Sequence, residues 1–351
     1  PVPSGDRQMA RLLVAALRHS GHSVTIASNL RSFSATPDQA VRDAISAAAD
    51  KEIERLSRIW RAETVPDLWF CYHPYYKAPD LIGPPLAAAF NIPYLTAEAS
   101  YSRRRDETGW RETQARVVDA VRLAKMNICF TQRDKNGLQA IVKEKYISVL
   151  PPFIDGRDFR TGPEADDPHR LMTIAMLRPG DKLESYRMLA AALALLKDRD
   201  WTLSVIGDGP ARDEIRGFFA GLPGDSIEWL GEKTAGEVTE LLRRGGIYVW
   251  PGEGEAYGIA YLEAQAAGLP VVAQATAGVP EVVRNGITGL LTPAGDTEAF
   301  ARAIATLCSD NALRRSMGRA ARQFVTQERS LERASQRLND ILHTHAGRAV
   351  S

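Results

Sequence analysis

The chain has 351 residues, 44% of them hydrophobic and 25% charged, and at this length one hydrophobic core usually divides into two domains. Its net charge of +1 excludes the strongly basic composition expected of a nucleic-acid-binding protein. No apolar run is long enough for a transmembrane helix, and two of the three cysteines lie in apolar runs, as is typical of reduced thiols in a cytosolic protein. We expect a cytoplasmic location, and a slightly basic first half leaves peripheral contact with the inner face of a membrane open.

The chain opens with an amphipathic pattern that predicts a helix over residues 6–19, followed after Gly21 by a predicted strand over residues 24–27. In a fold that alternates strands and helices, a strand should precede this first helix. None is encoded before residue 6. We therefore expect that the sequence begins after the first strand of an N-terminal domain.

Short apolar strands then alternate with helices as far as residue 150, which predicts a parallel sheet covered on both faces. The proline-rich segment "PPFIDGRDFRTGPEADDPHR" interrupts this alternation and indicates an interdomain linker. We expect an N-terminal domain over residues 1–155, a C-terminal domain over 156–330, and a C-terminal helix over 331–351. Whether this last helix crosses back to the first domain is left open by the sequence.

Beyond the linker the alternation restarts, and three helices beginning near residues 297, 311 and 331 end the chain. The pattern predicts an α/β fold of two Rossmann-like, doubly wound domains facing a cleft. Ligands in such sheets bind beyond the carboxyl ends of the strands, where helix N-termini offer free amides. The turn "VIGDGP" places Gly207 and Gly209 at such a position, although an ordinary strand-to-helix turn explains these glycines equally well.

The stretch "GEGEAYGIAYLEAQAAGLPVV" is a more specific candidate site, because a glycine-rich loop leads into a helix predicted from residue 257. In the first turn, Gly258 would let a phosphate approach the amides, at a cost of about 1 kcal/mol in helix stability. Glu255 would stand at the mouth of this anion site, with Glu263 about 12 Å further along the helix. A ligand with a sugar at one end and a nucleoside at the other could span the two glutamates. A capping acid and a surface acid remain the alternative.

The wider segment resembles the Glu, seven residues, Glu signature of retaining glycosyltransferases of the GT-B fold, family 4, also called glycosyl transferases group 1. The resemblance extends to "AMLRPGDKLESY", "VIGDGPARDEI" and "AGVPEVVRNGITGLLTPAGD" in the second half, and to "SVLPPFIDGRDF" at the linker. In the first half, "PVPSGDRQMARLLVAALRHSGHSVTIAS" is similar to the loop and helix that follow the family's first strand.

The resemblance implies roles for individual residues. Glu255 would bind the transferred sugar and favour the positive charge that develops at its anomeric carbon, and Glu263 would bind the ribose. Arg178 and Lys182 would neutralise the leaving diphosphate, helped by amides near Tyr257 and Gly258. Gly207 and Gly209 would belong to the donor-binding turn.

One position of the sequence departs from the family pattern, and one tripeptide matches a motif of a different fold. The family usually places its arginine five residues before the lysine, a position that Leu177 occupies here. Such enzymes need neither a metal nor a cofactor beyond the nucleotide sugar. The tripeptide "DRD" at residues 198–200 matches a metal-binding motif of another glycosyltransferase fold, but it lies between a helix and a strand, and we do not expect it to bind metal.

Residues for the acceptor are suggested by their places after strands of the first half. His73 follows "WFCY" and could contact the sugar or an acceptor hydroxyl, with a structural histidine as the alternative. Arg103, Arg104 and Arg105 could hold an acidic acceptor or a lipid phosphate, and a solvated loop is the alternative. The resemblance also implies that Gly5 and Asp6 approach the cleft.

The resemblance therefore implies a retaining, metal-independent hexosyltransferase-type enzyme that uses a nucleotide sugar and a glycan, a lipid-linked or a small-molecule acceptor. A catalytically impaired nucleotide-sugar-binding module and a GT-B nucleotide-sugar epimerase are the alternatives. A nicotinamide-dependent oxidoreductase is disfavoured because "VIGDGP" lacks the third glycine of the dinucleotide fingerprint and does not follow the first strand. Donor sugar, base, acceptor and oligomeric state are not predicted.

Overall fold

The computed structural model describes residues 5–159, 167–196 and 200–345. The chain divides into two compact units. The first unit comprises Pro1–Pro151 together with Ala334–Ser351, and the second comprises Pro152–Arg333. Each unit contains its own parallel β-sheet.

The first unit alternates helices and short strands, as the apolar pattern predicts. Its strands form a parallel sheet in the order β1-β2-β3-β4. The elements in chain order are α1 (Gly5–His19), α2 (Gln39–Ala62), β1 (Trp69–Tyr72), α3 (Gly83–Phe90), β2 (Tyr94–Ala97), α4 (Arg111–Leu123), β3 (Met126–Cys129), α5 (Gln132–Gln139) and β4 (Ile147–Val149).

Local sequence explains where these elements begin and which surfaces they bury. The side chains of Asp38 and Thr131 accept hydrogen bonds from backbone amides and so cap the N-termini of α2 and α5. Strands β2 and β3 are buried along their whole length, as expected for strands covered on both faces. A cluster that includes Leu56 and Trp60 of α2 and Leu86 of α3 forms part of the core.

The strand predicted over residues 24–27 is wrong, because this segment pairs with no strand among the described residues. Arginine side chains bind its backbone instead: Arg18 donates to the carbonyl oxygen of Val24, and Arg55 donates to that of Ala27. Ile26 between them is 65% exposed. An apolar alternation produces a strand only where a neighbouring strand completes the hydrogen-bond ladder.

The second unit repeats the alternation on a larger scale. Its strands form a six-stranded parallel sheet in the order β10-β9-β8-β5-β6-β7. The elements are β5 (Arg170–Ile174), α6 (Asp181–Ala194), β6 (Thr202–Ile206), α7 (Arg212–Phe218), β7 (Ile227–Gly231), α8 (Ala235–Leu242), β8 (Ile247–Val249), α9 (Ile259–Ala266), β9 (Val271–Gln274), β10 (Gly289–Thr292), α10 (Thr297–Ser309) and α11 (Asn311–Glu328).

The strand order of the second sheet reverses between β5 and β8. From β5 the chain moves outward through β6 to β7, and it then returns to the other side of β5 to add β8, β9 and β10. Connections leave β5 and β8 in opposite directions, which opens a crevice beyond their carboxyl ends. This is the place at which open α/β sheets bind their ligands.

The last helix, α12 (Leu331–His345), starts where the sequence predicts, as do α10 and α11. Most of α12 belongs to the first unit, where the hydroxyl of Ser20 donates to the carbonyl oxygen of Ser335 at 3.0 Å. Across the part of the chain that the structure describes, no helix combines the length and the apolar character needed to cross a lipid bilayer.

Candidate functional site

Two connections meet beyond the carboxyl ends of β5 and β8 in the second unit. The first runs from β5 to α6 and ends at Gly180, whose φ of 85° lies in the left-handed region that favours glycine. Lys182 follows in the first turn of α6. The second connection, residues 250–258, leads from β8 to α9 and contains Glu255. The strand-order reversal therefore places the predicted diphosphate residue and the predicted sugar residue on its two flanks.

The 250–258 loop packs on the first turns of α6. The backbone amide of Glu253 donates to the hydroxyl of the buried Ser185 at 2.9 Å. Gly254 has a φ of 63°, and a Cβ atom at this position would overlap the carboxylate of Asp181. Glycine at position 254 thus allows the loop to approach the helix, and Glu253 takes part in this packing through its backbone.

Lys182 and Glu255 form an ion pair between Nζ and Oε1, although they lie 73 positions apart in the chain. Their side chains are only 14% and 16% exposed. The indole nitrogen of Trp250 donates a hydrogen bond of 3.1 Å to the same carboxylate oxygen. The Lys182 ammonium also lies 5.4 Å from the centroid of the Trp250 ring. The buried tryptophan at the end of β8 therefore orients both charged groups.

The start of α9 differs from the predicted helix start. The helix begins at Ile259, and Gly258, with a φ of 77°, is its N-cap. The predicted start at residue 257 is therefore wrong, because a left-handed glycine cannot continue an α-helix towards its N-terminus. Glu255 lies in the loop, so the spacing of about 12 Å that a continuous helix would give to Glu263 does not apply.

Tyr257 and Glu263, the other residues of this segment predicted to bind the donor, lie on either side of the observed helix start. Tyr257 is buried at 5% exposure and lies in the loop directly before the N-cap. Glu263 lies in the second turn of α9 and is partly buried. Free amides at the start of α9 are properties of any helix N-terminus, and here they lie in the same connection as Glu255.

The turn after β6 contains Gly207 and Gly209, and both glycines are required by a close backbone approach. A Cβ atom at Gly207 would overlap the carbonyl oxygen of Ala175, and one at Gly209 would overlap that of Leu177. The amide of Leu177 donates to the carbonyl oxygen of Asp208 at 3.0 Å. The glycines therefore join this turn to the β5–α6 connection that carries Lys182.

The two cationic candidates of the β5–α6 connection have different surroundings. Leu177, at the position where the family usually has arginine, is 1% exposed and belongs to the core. Arg178 is the next residue and is exposed, whereas the side chain of Lys182 is largely enclosed beside Glu255. The structure thus brings Lys182, but not Arg178, into contact with the Glu255 side chain.

In the first unit, His73 lies at the carboxyl end of β1, beside a glutamate that directly follows the neighbouring strand β2. His73 Nδ1 is 3.3 Å from Oε2 of Glu98, which follows β2. Burial lowers the pKa of His73, but the Glu98 carboxylate outweighs burial, with help from Asp6 and Asp134, so that the pKa lies above its usual value. A glutamate directly after an apolar strand is the signal in the sequence that could have indicated this pair.

Gly5 and residues 103–105, which were also predicted to lie near a ligand, belong to other elements of the first unit than His73 does. Gly5 is the exposed first residue of α1, and a Cβ atom there would meet no neighbouring atom within 4 Å. Arg103, Arg104 and Arg105 form a short 3-10 helix, in which the first two are exposed. The guanidinium of Arg105 lies 4.4 Å from the centroid of the Tyr76 ring.

Within the described ranges, no group of three or more His, Cys, Asp or Glu side chains is arranged to hold a metal ion. Residues 198 and 199 of the "DRD" tripeptide lie outside the described residues. Asp200 is described, and its backbone carbonyl lies 2.6 Å from Nδ1 of His169.

Comparison with known proteins finds a family model that matches part of the second unit. Residues 168–310 match the family model described as Glycosyl transferases group 1. Among curated relatives, an exopolysaccharide phosphotransferase of Streptomyces coelicolor is 36% identical over 51% of this chain and 18% of its own length. The Arabidopsis thaliana sulfoquinovosyl transferase is 29% identical over 49% of this chain and 33% of its own. The chain thus spans less than half the length of these relatives.

Solved structures extend the similarity to both units. A glycosyltransferase from Rickettsia africae superposes with a TM-score of 0.74 over 97% of this chain and 95% of its own, at 17% identity. Anabaena HepE in complex with UDP gives a TM-score of 0.71 over 84% of this chain and 82% of its own, at 18% identity. The predicted GT-B fold of two Rossmann-like domains is confirmed, and so is the resemblance to glycosyl transferases group 1, whose family model residues 168–310 match.

Proposed function

We propose that this chain is a glycosyltransferase that moves a sugar from a nucleoside diphosphate sugar to an acceptor, with retention of the anomeric configuration. The observation that carries the proposal is the contact of Lys182 with Glu255 at the strand-order reversal of the second sheet. Both residues lie within the segment that matches the glycosyl transferases group 1 family. A cation and a carboxylate held together there suit a ligand that carries both a diphosphate and a sugar.

Lys182 is assigned to the diphosphate. As the bond between the sugar and the β-phosphate breaks, negative charge accumulates on the leaving nucleoside diphosphate. A cation held in a largely enclosed site stabilises this charge more strongly than one in water, because the effective dielectric constant is lower. Arg178 and the amides near Tyr257 and Gly258 would add to the stabilisation, while Gly207 and Gly209 hold the adjoining turn in place.

Glu255 is assigned to the transferred sugar. Its carboxylate would accept hydrogen bonds from sugar hydroxyls and favour the positive charge that develops at the anomeric carbon. Trp250 already holds one carboxylate oxygen, so little reorganisation is required. When Lys182 pairs with a diphosphate instead, it releases Oε1 of Glu255. That oxygen can then accept a hydrogen bond from the sugar. Glu263, further along α9, is assigned to the ribose hydroxyls.

We assign acceptor binding to the first unit. His73 would donate to an oxygen of the sugar or of the acceptor, and Arg103, Arg104 and Arg105 would attract an acidic glycan, a lipid-linked or a phosphorylated small-molecule acceptor. Gly5 would approach the ligand as the first residue of α1. No cofactor beyond the nucleotide sugar is required, because Lys182 and the helix N-termini would supply the charge that a metal provides in other enzymes.

A panel of nucleoside diphosphates and their sugars tests the donor assignment by thermal stabilisation, since a ligand that binds the folded chain raises its apparent stability. UDP and UDP-glucose are the first probes, because solved HepE structures of the same fold contain them. We expect the nucleoside diphosphate and the nucleotide sugars of one base to raise the melting temperature strongly. If no member of the panel shifts the melting temperature, the donor site is wrongly assigned.

Release of the nucleoside diphosphate in the presence of candidate acceptors then separates an enzyme from a binding module. We expect release to depend on acceptor and to persist in EDTA. The anomeric configuration of the product, determined from proton coupling constants, should equal that of the donor. Binding without release for every acceptor would instead favour a catalytically impaired nucleotide-sugar-binding module.

A further inference from the structure

His73 and Glu98 share an unusual backbone conformation at neighbouring strand ends. His73 has a φ of 58° and Glu98 a φ of 55°, and neither residue is glycine. Tyr72 pairs with Ala97 in the β1–β2 register, so His73 and Glu98 are the next residues on the two strands. Left-handed backbone costs free energy at residues that have a Cβ atom, and it persists only where the surrounding structure imposes it.

Backbone hydrogen bonds hold the amides of both residues at the edge of the sheet. The amide of His73 donates to the carbonyl oxygen of Ala97 at 2.8 Å, and the amide of Glu98 donates to that of Ile128 at 2.8 Å. Each strand end is therefore tied to the next strand, and both side chains are held at the carboxyl edge of the first sheet. Nδ1 of His73 and Oε2 of Glu98 meet there at 3.3 Å.

The surroundings favour a charged His73. The Glu98 side chain is only 8% exposed, so its carboxylate is poorly screened by water, while the His73 side chain is 30% exposed and accessible to a ligand. Negative charge also reaches the imidazole from Asp6 of α1 and Asp134 of α5. The rings of Tyr72 and Tyr75 contact the imidazole edge-on, with centroids 5.7 Å and 4.9 Å away.

We propose that Glu98 is a positioning residue that keeps His73 as a hydrogen-bond-donating imidazolium, so that the first unit presents a cation rather than a base to an oxygen of its ligand. This inference rests on the proposed function for the identity of the ligand. Since Nδ1 faces Glu98, Nε2 is the nitrogen that remains to donate. His73 therefore does not remove the acceptor's proton, because an imidazolium has no lone pair with which to accept it.

NMR titration of ¹⁵N-labelled histidine in the full chain tests the pairing without any substrate. The chain has six histidines, and the signal that disappears in the His73→Asn variant assigns His73. Asparagine tolerates left-handed backbone and so preserves the strand end. We expect Glu98→Gln, which removes the charge and keeps the shape, to lower the His73 pKa by roughly one unit. Glu98→Asp, which keeps the charge, should restore much of the shift.

Two further variants serve as controls. Asp134→Asn removes a more weakly interacting carboxylate and should lower the His73 pKa by less than Glu98→Gln does. Glu144→Gln, on an exposed pair with Lys135, should leave it unchanged. An unchanged His73 pKa in a folded Glu98→Gln protein would overturn the inference, whatever the activity.

The pH dependence of nucleoside diphosphate release tests the role of the imidazolium. We expect release to fall as pH rises through the His73 pKa, and this fall to move to lower pH in Glu98→Gln and to vanish in His73→Asn. A shifted NMR pKa with an unshifted fall in release would overturn the catalytic part of the inference. Absence of release in the unmodified chain under all conditions would contradict the proposed function, and the NMR titration would still decide the Glu98–His73 pairing.

Discussion

Lys182 and Glu255 form an ion pair across the point at which the strand order of the second sheet reverses. One residue follows β5 and the other follows β8, and Trp250 contacts both. An enclosed charge is stable only when it is paired, so each of these side chains needs either the other or a charged ligand. The ion pair thus places a positive and a negative side chain beyond the carboxyl ends of β5 and β8, where open α/β sheets bind ligands.

Removing one member of this pair should destabilise the folded chain more than removing both. Lys182→Met leaves the Glu255 carboxylate without its partner, and Glu255→Gln leaves the ammonium without its partner. We expect a coupling free energy of about 1–3 kcal/mol between the two substitutions in a double-mutant cycle. Urea unfolding of the four proteins measures it. Additive changes in the free energy of unfolding would show that the pair is not energetically coupled.

Glu255 and Glu263 should affect different kinetic constants. Glu255→Gln should lower kcat by about 10²–10³, because the lost interaction strengthens in the transition state, and should change nucleoside diphosphate affinity little. Glu263→Gln should mainly raise the Kd for the nucleotide. Steady-state kinetics together with nucleotide titrations separate the two effects. Equal kinetic constants in both variants and the unmodified chain would refute the assignment of this segment.

The His73–Glu98 pair should make stability depend on pH. Because the pKa of His73 is raised in the folded chain, the pair's stabilisation is complete below the ordinary histidine pKa of about 6.5 and is lost as pH rises through the folded value. The difference in free energy of unfolding between the unmodified chain and His73→Asn should therefore shrink from pH 6 to pH 9. Urea titrations across this range measure it, and a difference that grows with pH would contradict the pairing.

Substitution of glycine by alanine should have opposite effects on stability at different positions of the second unit. Gly207→Ala and Gly209→Ala place a Cβ atom against the carbonyl oxygens of Ala175 and Leu177 and should destabilise the fold by several kcal/mol. Gly217→Ala, in the last turn of α7 with no atom within 4 Å of the new Cβ, should stabilise it by about 0.5–1 kcal/mol. Thermal unfolding compares the three variants, and equal melting temperatures would contradict the close approach.

Most elements follow from local sequence because apolar periodicity and capping residues act locally. The helices beginning at Thr297, Asn311 and Leu331 start where the sequence predicts, and those at Thr297 and Asn311 follow capping aspartates. The strand predicted at residues 24–27 fails because a strand also needs a partner, which no local pattern reveals. The start of α9 is displaced to Ile259 because the left-handed conformation of Gly258 depends on the packing of its loop.

The contacts between the candidate site residues are harder to predict from the sequence than the residues themselves. The family resemblance indicates Glu255 and Lys182 separately, but their contact joins positions 73 residues apart and depends on the order of the strands. Glu98 directly follows β2 with a left-handed backbone, and nothing local in the sequence distinguishes such a residue from the last residue of a strand. Its relation to His73 requires the β1–β2 register.

The donor site is tested most directly by calorimetric titration of the chosen nucleoside diphosphate into the unmodified chain, with Lys182→Met beside it. Lys51→Met, on the exposed surface of α2 in the first unit, is the matched control for the loss of a positive charge. We expect one nucleotide to bind per chain, with affinity reduced at least about tenfold in Lys182→Met and unchanged in Lys51→Met. Equal affinity in a folded Lys182→Met protein, or no binding of any nucleoside diphosphate, would contradict a donor site at the Lys182–Glu255 pair.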